Sequence, residues 1–464
     1  MIERAKTGIL ILLVALSLVQ TYFLAYRMPW LGTTTRSDQD YVNTELLGQG
    51  SNVEQVVFPE ELILHLGSDE HAMIYPNTQF YELIVRQRLA SREFKGFQVL
   101  VNPGLNWEEI RREHKGIELS FTKGISFELL KKLMKLDTEG GVQDSVMLSG
   151  VLIFAQEESE EVLAYFFDQN GSTVYQALHV DLTVKDIGDY IGFGQYLPRF
   201  TYMHGQLYVA NEPIQATEYL YSYEVFTPEQ MQRSLFFDSS TTRAIVNRSG
   251  SQIYTDGKRG LKVEQNGLWI SYTNSVASQS SSAAFNENVY LAVDFVNQHG
   301  GWDTTYQLVN IPTVEERYVR FRKYIDQYPV IDISPFHYGY VHLGVQQGVV
   351  VEYERSLIKL PQQEERKEIR WLYGGNLLQN QLETYGRTDE IVTIYPALKV
   401  VPQQEQRIEF LPVWAVLLED GSEEVLMDAM PAGYEPKHTV TTEMKKETED
   451  QEQQEKQEQE EQQQ

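Results

Sequence analysis

The chain has 464 residues, 42% of them hydrophobic and 12% aromatic, which is material for two to four cored domains. Its 39 Lys and Arg stand against 66 Asp and Glu, a formal net charge of −27, which argues against DNA, RNA or anionic wall polymers as principal ligands because phosphate binding needs a cationic surface. There is no cysteine, which excludes disulfides, thiolate zinc sites, iron–sulfur clusters and cysteine nucleophiles.

Residues 1–7 form a short tail with Arg4 and Lys6. The run from Gly8 to Tyr26 has no charge and 19 residues. At about 1.5 Å per residue it spans roughly 29 Å, the thickness of a bilayer's hydrocarbon. It is longer than the apolar region of a secretory signal and lacks a small-x-small cleavage site, since Phe23 stands two before Ala25. Tyr22, Tyr26 and Trp30 suit the membrane interface. The segment therefore reads as a retained transmembrane helix at 8–26. The flanking charges place the N-terminus in the cytoplasm and nearly all of the chain outside the cell. Ser17, Thr21 and Ala25 recur every fourth residue and share one helix face. Small and hydroxyl residues on one stripe let a second helix approach closely, although lipid also simply tolerates them. They are the expected transmembrane helix contact.

Residues 27–45, with TTTRSDQD at their centre, read as a juxtamembrane linker. A first α+β domain is expected over 46–199. VVFPEELILHL is strand material. FYELIVRQRLASREF has helical periodicity, with Phe80, Leu83, Ile84 and Leu89 near one face, and ISFELLKKLMKLD reads as a second helix capped by Ser126. GVLIFAQ, VLAYFFD and STVYQALHV read as strands, with Asn170-Gly171 as a hairpin signal. A central α+β domain is expected over 200–285. It holds two strands, a helix at TPEQMQRSLFF with Thr227 as N-cap and Pro228 at its first position, and a meander over RAIVNRSGSQIYTDGKRGLKVEQNGLWISYTN.

A C-terminal α+β domain is expected over 286–434. It opens with the helix NENVYLAVDFVNQHGG, which Gly300-Gly301 should stop. TTYQLVNIP is a strand, and VEERYVRFRKYID is a helix or a helix plus a strand. The later strands turn at Gln347-Gly348 and Asp420-Gly421. Helix followed by meander occurs twice, a pattern consistent with internal duplication. Clustered helices and meanders without βαβ alternation point to an α+β fold class. Residues 435–464 read as a disordered acidic, Gln-rich tail; from Glu443 onward it carries nine acids and three lysines.

No catalytic, cofactor or metal residue emerges. The nine histidines are scattered. His65 and His71 are the nearest ligand-like pair. His337 and His342 come next, but five residues apart on one strand they face opposite sides. All read as ordinary strand or surface histidines. Ser356-Leu357-Ile358-Lys359 matches S-x-x-K without the SDN and KTG that accompany it in penicillin-interacting enzymes. Gly192-Phe193-Gly194 lacks the third glycine of a nucleotide loop, and GxSxG, HExxH, Walker A and kinase motifs are missing. Asp186 and Asp189 read as solvated, and no carboxylate pair stands out as a glycosidase pair.

The order of segments resembles the YycH (WalH) family. A basic-flanked span is followed by a large cysteine-free region with IYTDGKRGLKV near its middle, then HGGWDTTYQLVNI, GYVHLGVQQGVVVEYE, IVTIYPALKV and LPVWAVLLEDG. The C-terminal half also resembles the YycI family and, more loosely, PepSY-like modules. The resemblance implies a membrane-embedded, non-enzymatic regulator of a YycG/WalK-type sensor histidine kinase in Gram-positive bacteria. It would act with a YycI-type partner on cell-wall metabolism, without nucleic acid or cofactor. The alternative reading is a surface-anchored enzyme or inhibitor acting on wall or peptide through a PepSY-like module.

Overall fold

The computed structural model describes Lys6 and residues 47–434, apart from 102, 139–141, 170, 172, 205–206, 237–239, 241, 247–250, 276–284 and 312–317. The expected membrane helix, with Ser17, Thr21 and Ala25, lies outside the described residues, as do the linker to residue 45 and the acidic tail. Among the described residues no helix is long and apolar enough to cross a membrane.

The described chain is a sheet-rich α+β fold. A ten-stranded sheet runs, edge to edge, Leu207–Ala210, Arg199–His204, Glu70–Ile74, Glu61–Gly67, Lys115–Ser126, Met147–Gln156, Glu161–Asp168, Thr173–Val180, Glu93–Val101 and Lys135–Asp137. The two strands after residue 199 thus extend the first sheet, with His71 opposite Phe200. In the second sheet the meander Arg243–Val246, Gln252–Thr255, Arg259–Glu264 and Trp269–Asn274 continues through Val349–Ser356 and Tyr340–Gln346 to Tyr318–Ile325. The short strand Tyr328–Ile331 joins this to Ile391–Gln403, Arg407–Leu418, Ile214–Ser222 and Arg366–Leu372. Among the described pairings only two are parallel, Glu93–Lys95 with Lys135–Asp137 and Val330–Ile331 with Leu398–Lys399. Antiparallel neighbours follow from the short turns that link successive strands.

Local signals formed the helices that stand alone. Thr227 caps Pro228–Leu235 in a capping box with Gln230, so the first-turn N–H groups find acceptors before any packing. The helix Phe285–Gln298 ends before Gly300 and Gly301, whose φ values are +120° and +71°. One expected helix differs, and one open reading is decided. After the Ser126 cap only Phe127–Leu130 is helical, and Lys135–Asp137 is a strand. Phe127, Leu129, Leu130, Leu133 and Met134 are buried and Lys132 and Lys135 exposed, as an amphipathic helix would have them, but Lys135–Asp137 pairs in parallel with Glu93–Lys95 and that ladder ends the helix early. Tyr318–Ile325 is a strand paired on both sides, the strand half of the helix-plus-strand alternative, in keeping with its Val, Ile, Phe and Tyr residues.

The cores ignore the order of the chain. One joins Leu62, Leu64 and Ile117 to Val293, Trp302 and Phe321. A second joins Ile63, Met73 and Tyr208 to Leu398, Phe410 and Trp414. The strand Glu61–Gly67 is therefore buried on both faces, Leu62 and Leu64 on one side and Ile63 on the other. Leu64→Ala should cost about 2–5 kcal/mol, read as a lower denaturant midpoint for the whole body, because a fully buried leucine leaves a cavity that its neighbours only partly fill.

Candidate functional site

The first described residues are tied down far from their sequence neighbours. Leu47 is buried. Gly48 N–H donates to Gly300 O at 2.9 Å, Gln49 N–H to Trp302 O at 2.9 Å, and Trp302 N–H returns to Gln49 O at 2.8 Å. This makes a one-residue antiparallel bridge between Gln49 and Trp302. Asn297, near the end of the long helix, accepts from Ser51 N–H at 2.8 Å and from the Trp302 indole at 2.7 Å, and donates to Ser51 O at 2.8 Å. The approach is so close that a Cβ on Gly48 would stand 2.0 Å from Trp302 O, and one on Gly301 would stand 2.4 Å from Gly48 O. Asn52 then caps the single turn Val53–Val56.

The loop that receives this segment, His299–Asp303, is held from beneath by buried charge. The Asp303 carboxylate is 2% exposed. It accepts from Lys323 Nζ at 2.8 Å and Tyr306 Oη at 2.7 Å, with Arg355 Nη2 at 3.7 Å. Arg355 also donates to Gly301 O at 2.8 Å and to Tyr353 Oη at 2.9 Å, and Tyr353 donates to His299 O at 2.8 Å. Burial alone would raise the Asp303 pKa. The Lys323 and Arg355 charges outweigh it and hold the carboxyl below its ordinary value. Lys323 additionally faces the Tyr338 ring at 3.8 Å. Beside this joint lies a cleft of about 810 Å³, walled by Gln49, Gln55, Arg86, Trp302, Thr305 and Lys359 among others.

The sequence motifs fall elsewhere. His65 and His71 meet across the Glu61–Ile74 hairpin, Nδ1 to Nδ1 at 3.1 Å, both buried. His65 Nε2 lies 3.2 Å from Glu118, which Arg111 clasps with two 2.8 Å hydrogen bonds. His71 Nε2 lies 3.5 Å from Asp69, which also pairs with Arg112 at 2.6 Å. Among the described residues His71 Nε2 and Asp69 Oδ1 are buried without a hydrogen-bond partner, and no group of three His, Asp or Glu is set to hold a metal. His337 precedes the strand that carries His342, and it lies 3.6 Å from Asp332. Ser356 and Lys359 of the S-x-x-K match are structural. Ser356 Oγ donates to Leu268 O and accepts from Ile358 N–H, while Lys359 sits in a two-residue ladder opposite Glu224. Asp186 is not free in solvent, since it completes the Thr183 capping box and pairs with Arg92 at 2.9 Å.

Sequence reasoning missed Gln49, Asp303, Lys323 and Arg355. The available signal was HGGWD, where the glycines read only as a helix stop. Their second role, admitting another backbone, has no local signature.

Together the fold and site define a sheet-rich α+β protein whose most constrained polar residues bind its own leading segment to its C-terminal half. The sequence matches the family descriptions "YycH protein, N-terminal domain" over residues 3–189 and "YycH protein, C-terminal domain" over residues 204–429, and the chain belongs to the YycH family. The crystal structure of YycH from Bacillus subtilis superposes with a TM-score of 0.66 at 18% identity, covering 82% of this chain and 99% of that one, which shows a shared fold. An uncharacterized protein from Eubacterium rectale aligns with a TM-score of 0.32 at 9% identity, over 52% of this chain and 88% of that one. Among curated proteins none matches.

Two outcomes are expected of these clusters. Asp303→Asn leaves Lys323 and Arg355 buried with no full counter-charge and should destabilise the protein by about 3–5 kcal/mol in chemical denaturation. Burial and the His65 charge hold the His71 pKa down to about 4. Its folded value lies below the ordinary 6.5, so its contribution is complete above pH 6.5 and fades as pH falls toward 4, by roughly 3 kcal/mol. Denaturation midpoints measured across that window should drop less in His71→Gln than in the wild type.

Proposed function

We propose that this protein is a non-enzymatic, membrane-anchored regulator of a YycG/WalK-type sensor histidine kinase, working with a YycI-type partner in the control of cell-wall metabolism. Membership of the YycH family carries the reading. The absence of a recognised catalytic motif in the sequence is in keeping with it. The helix at 8–26 would contact the kinase within the bilayer through Ser17, Thr21 and Ala25, and residues 46–434 would lie outside the cell in three α+β parts, 46–199, 200–285 and 286–434.

A regulator of this kind must interact differently with two states of the kinase. The bridge between Gln49 and Trp302 supplies a physical route, because any shift of the loop His299–Asp303 displaces the backbone that follows the linker. A long flexible leader would lose such a displacement; one with three backbone hydrogen bonds to a buried, charged loop transmits it.

The test is co-purification from membranes with a tagged sensor kinase, together with kinase output in cells, for three forms of the full chain. The wild type should retain the kinase and change its output. Ser17→Leu/Thr21→Leu/Ala25→Leu should insert equally and lose the kinase. Gly48→Val should keep the kinase but lose at least about half of the regulatory effect, since the new side chain collides with Trp302 O. If the wild type retains no kinase, the reading fails. If the triple variant retains it fully, the contact lies on another face.

A further inference from the structure

The two sheets meet over a small chamber of about 20 Å³, enough for one water molecule. Glu60, Glu61, Tyr75 and Thr122 line it from the first sheet's side, and Arg322, Tyr395 and Glu423 are among the residues lining it from the second. Most of the cations and donors here are committed, Arg322 Nε being without a hydrogen-bond partner among the described residues. Glu60 accepts from Thr122 N–H at 3.2 Å and from its hydroxyl at 3.1 Å. Arg322 pairs with Glu423, whose other oxygen accepts from Tyr340. Lys123 lies 3.7 Å from Glu423. Glu61 is left over. It is 4% exposed, and its Oε1 has no hydrogen-bond partner among the described residues.

A charged carboxylate in that position would be buried, unpaired and beside a second carboxylate, an arrangement far costlier than a neutral acid. We propose that Glu61 is held neutral as a carboxylic acid at the join between the two sheets, and that losing its proton in mild alkali loosens that join. The regulator's body thereby acquires a built-in sensitivity to alkaline pH. Burial, and then the charge of Glu60, push Glu61 up to about 8.

The other groups facing this place do not supply the same response. The hydroxyls of Tyr75, Tyr208, Tyr324 and Tyr395 are raised by burial and stay neutral. Tyr328 and Tyr340 are the remaining phenols nearby, the first also raised by burial, the second donating to Glu423. Arg322 stays charged. Two groups compete. Burial and then Arg322 lower Lys123 to about 8, but it approaches Glu423 and not Glu61. Burial also raises Glu60, against the opposing pull of its backbone hydrogen bond, Arg322 and Thr122.

The folded value of Glu61 lies above the ordinary carboxylate range, so the folded form holds the extra proton. Its stabilising contribution is complete below about pH 4.5, declines as pH rises, and is gone above about 8.

The full chain in lipid nanodiscs would be studied by hydrogen exchange between pH 6 and 9, corrected for the intrinsic rate, in wild type, Glu61→Gln and Lys123→Gln. Protection of the peptides spanning 61–66 and 393–398 should fall roughly tenfold or more in the wild type. It should stay nearly flat in Glu61→Gln and fall in Lys123→Gln. The infrared band of a protonated carboxyl should be present at pH 7, disappear through about pH 8, and be diminished in Glu61→Gln. Unchanged wild-type protection, an equal fall in Glu61→Gln, or a carboxyl band untouched by that substitution would each overturn the proposal. Because nothing here involves the kinase, these readouts succeed or fail independently of the regulatory reading.

Discussion

The buried carboxylate of Asp303 is the constraint on which the rest of the joint depends. A loop with two consecutive glycines at positive φ has little conformational preference of its own. It is fixed because Asp303 at its end is gripped by Lys323 and Tyr306, while Arg355 holds the Gly301 carbonyl in its middle. Only a loop so fixed can present Gly300 O and Trp302 O as a template for Gly48 and Gln49. The arrangement is expensive in desolvation and favourable only as a complete set, so it acts as a specificity device for one geometry of the leading segment.

The same logic extends to the hairpin Glu61–Ile74. Its first strand carries core residues on both faces, which places it between the two apolar clusters and not at a surface. Polar residues on such a strand must be satisfied internally. His65 is, through Glu118 and Arg111, and His71 is half met, bonded to His65 with Asp69 3.5 Å from its other nitrogen. Among the described residues Glu61 at the strand's beginning has neither a hydrogen bond to Oε1 nor a cation beside it. Glu118 shows the alternative outcome. Burial would raise it, yet Arg111 and His65 bring it down to about 2.

Much of the secondary structure was legible because its causes are local. The Thr227-Pro228 start, the meander from Arg243 to Asn274 and the turn at Gln347 each depend on residues within a few positions. The fold class was legible for the same reason. Where the reading failed or stayed open, a distant partner decided. Tyr318–Ile325, left between helix and strand, is a strand because it pairs with Thr305–Asn310 and Tyr340–Gln346. The helix begun at Phe127 stops early because Lys135–Asp137 is drawn into pairing with Glu93–Lys95.

The sequence by itself determined that this chain has substantial cores, cannot use cysteine chemistry, builds antiparallel meanders with a few capped helices, and carries the segment order of the YycH family. These depend on composition, periodicity and short-range hydrogen bonding, all of which are written within a dozen residues. Only the tertiary structure decided that Gly48 abuts Trp302 across more than two hundred residues, that His65 and His71 meet in a buried pair, and that Glu61 lacks the cation its neighbours share. Such pairings arise from sheets closing over common cores, and the stability of each buried charge is set by partners that local sequence does not name.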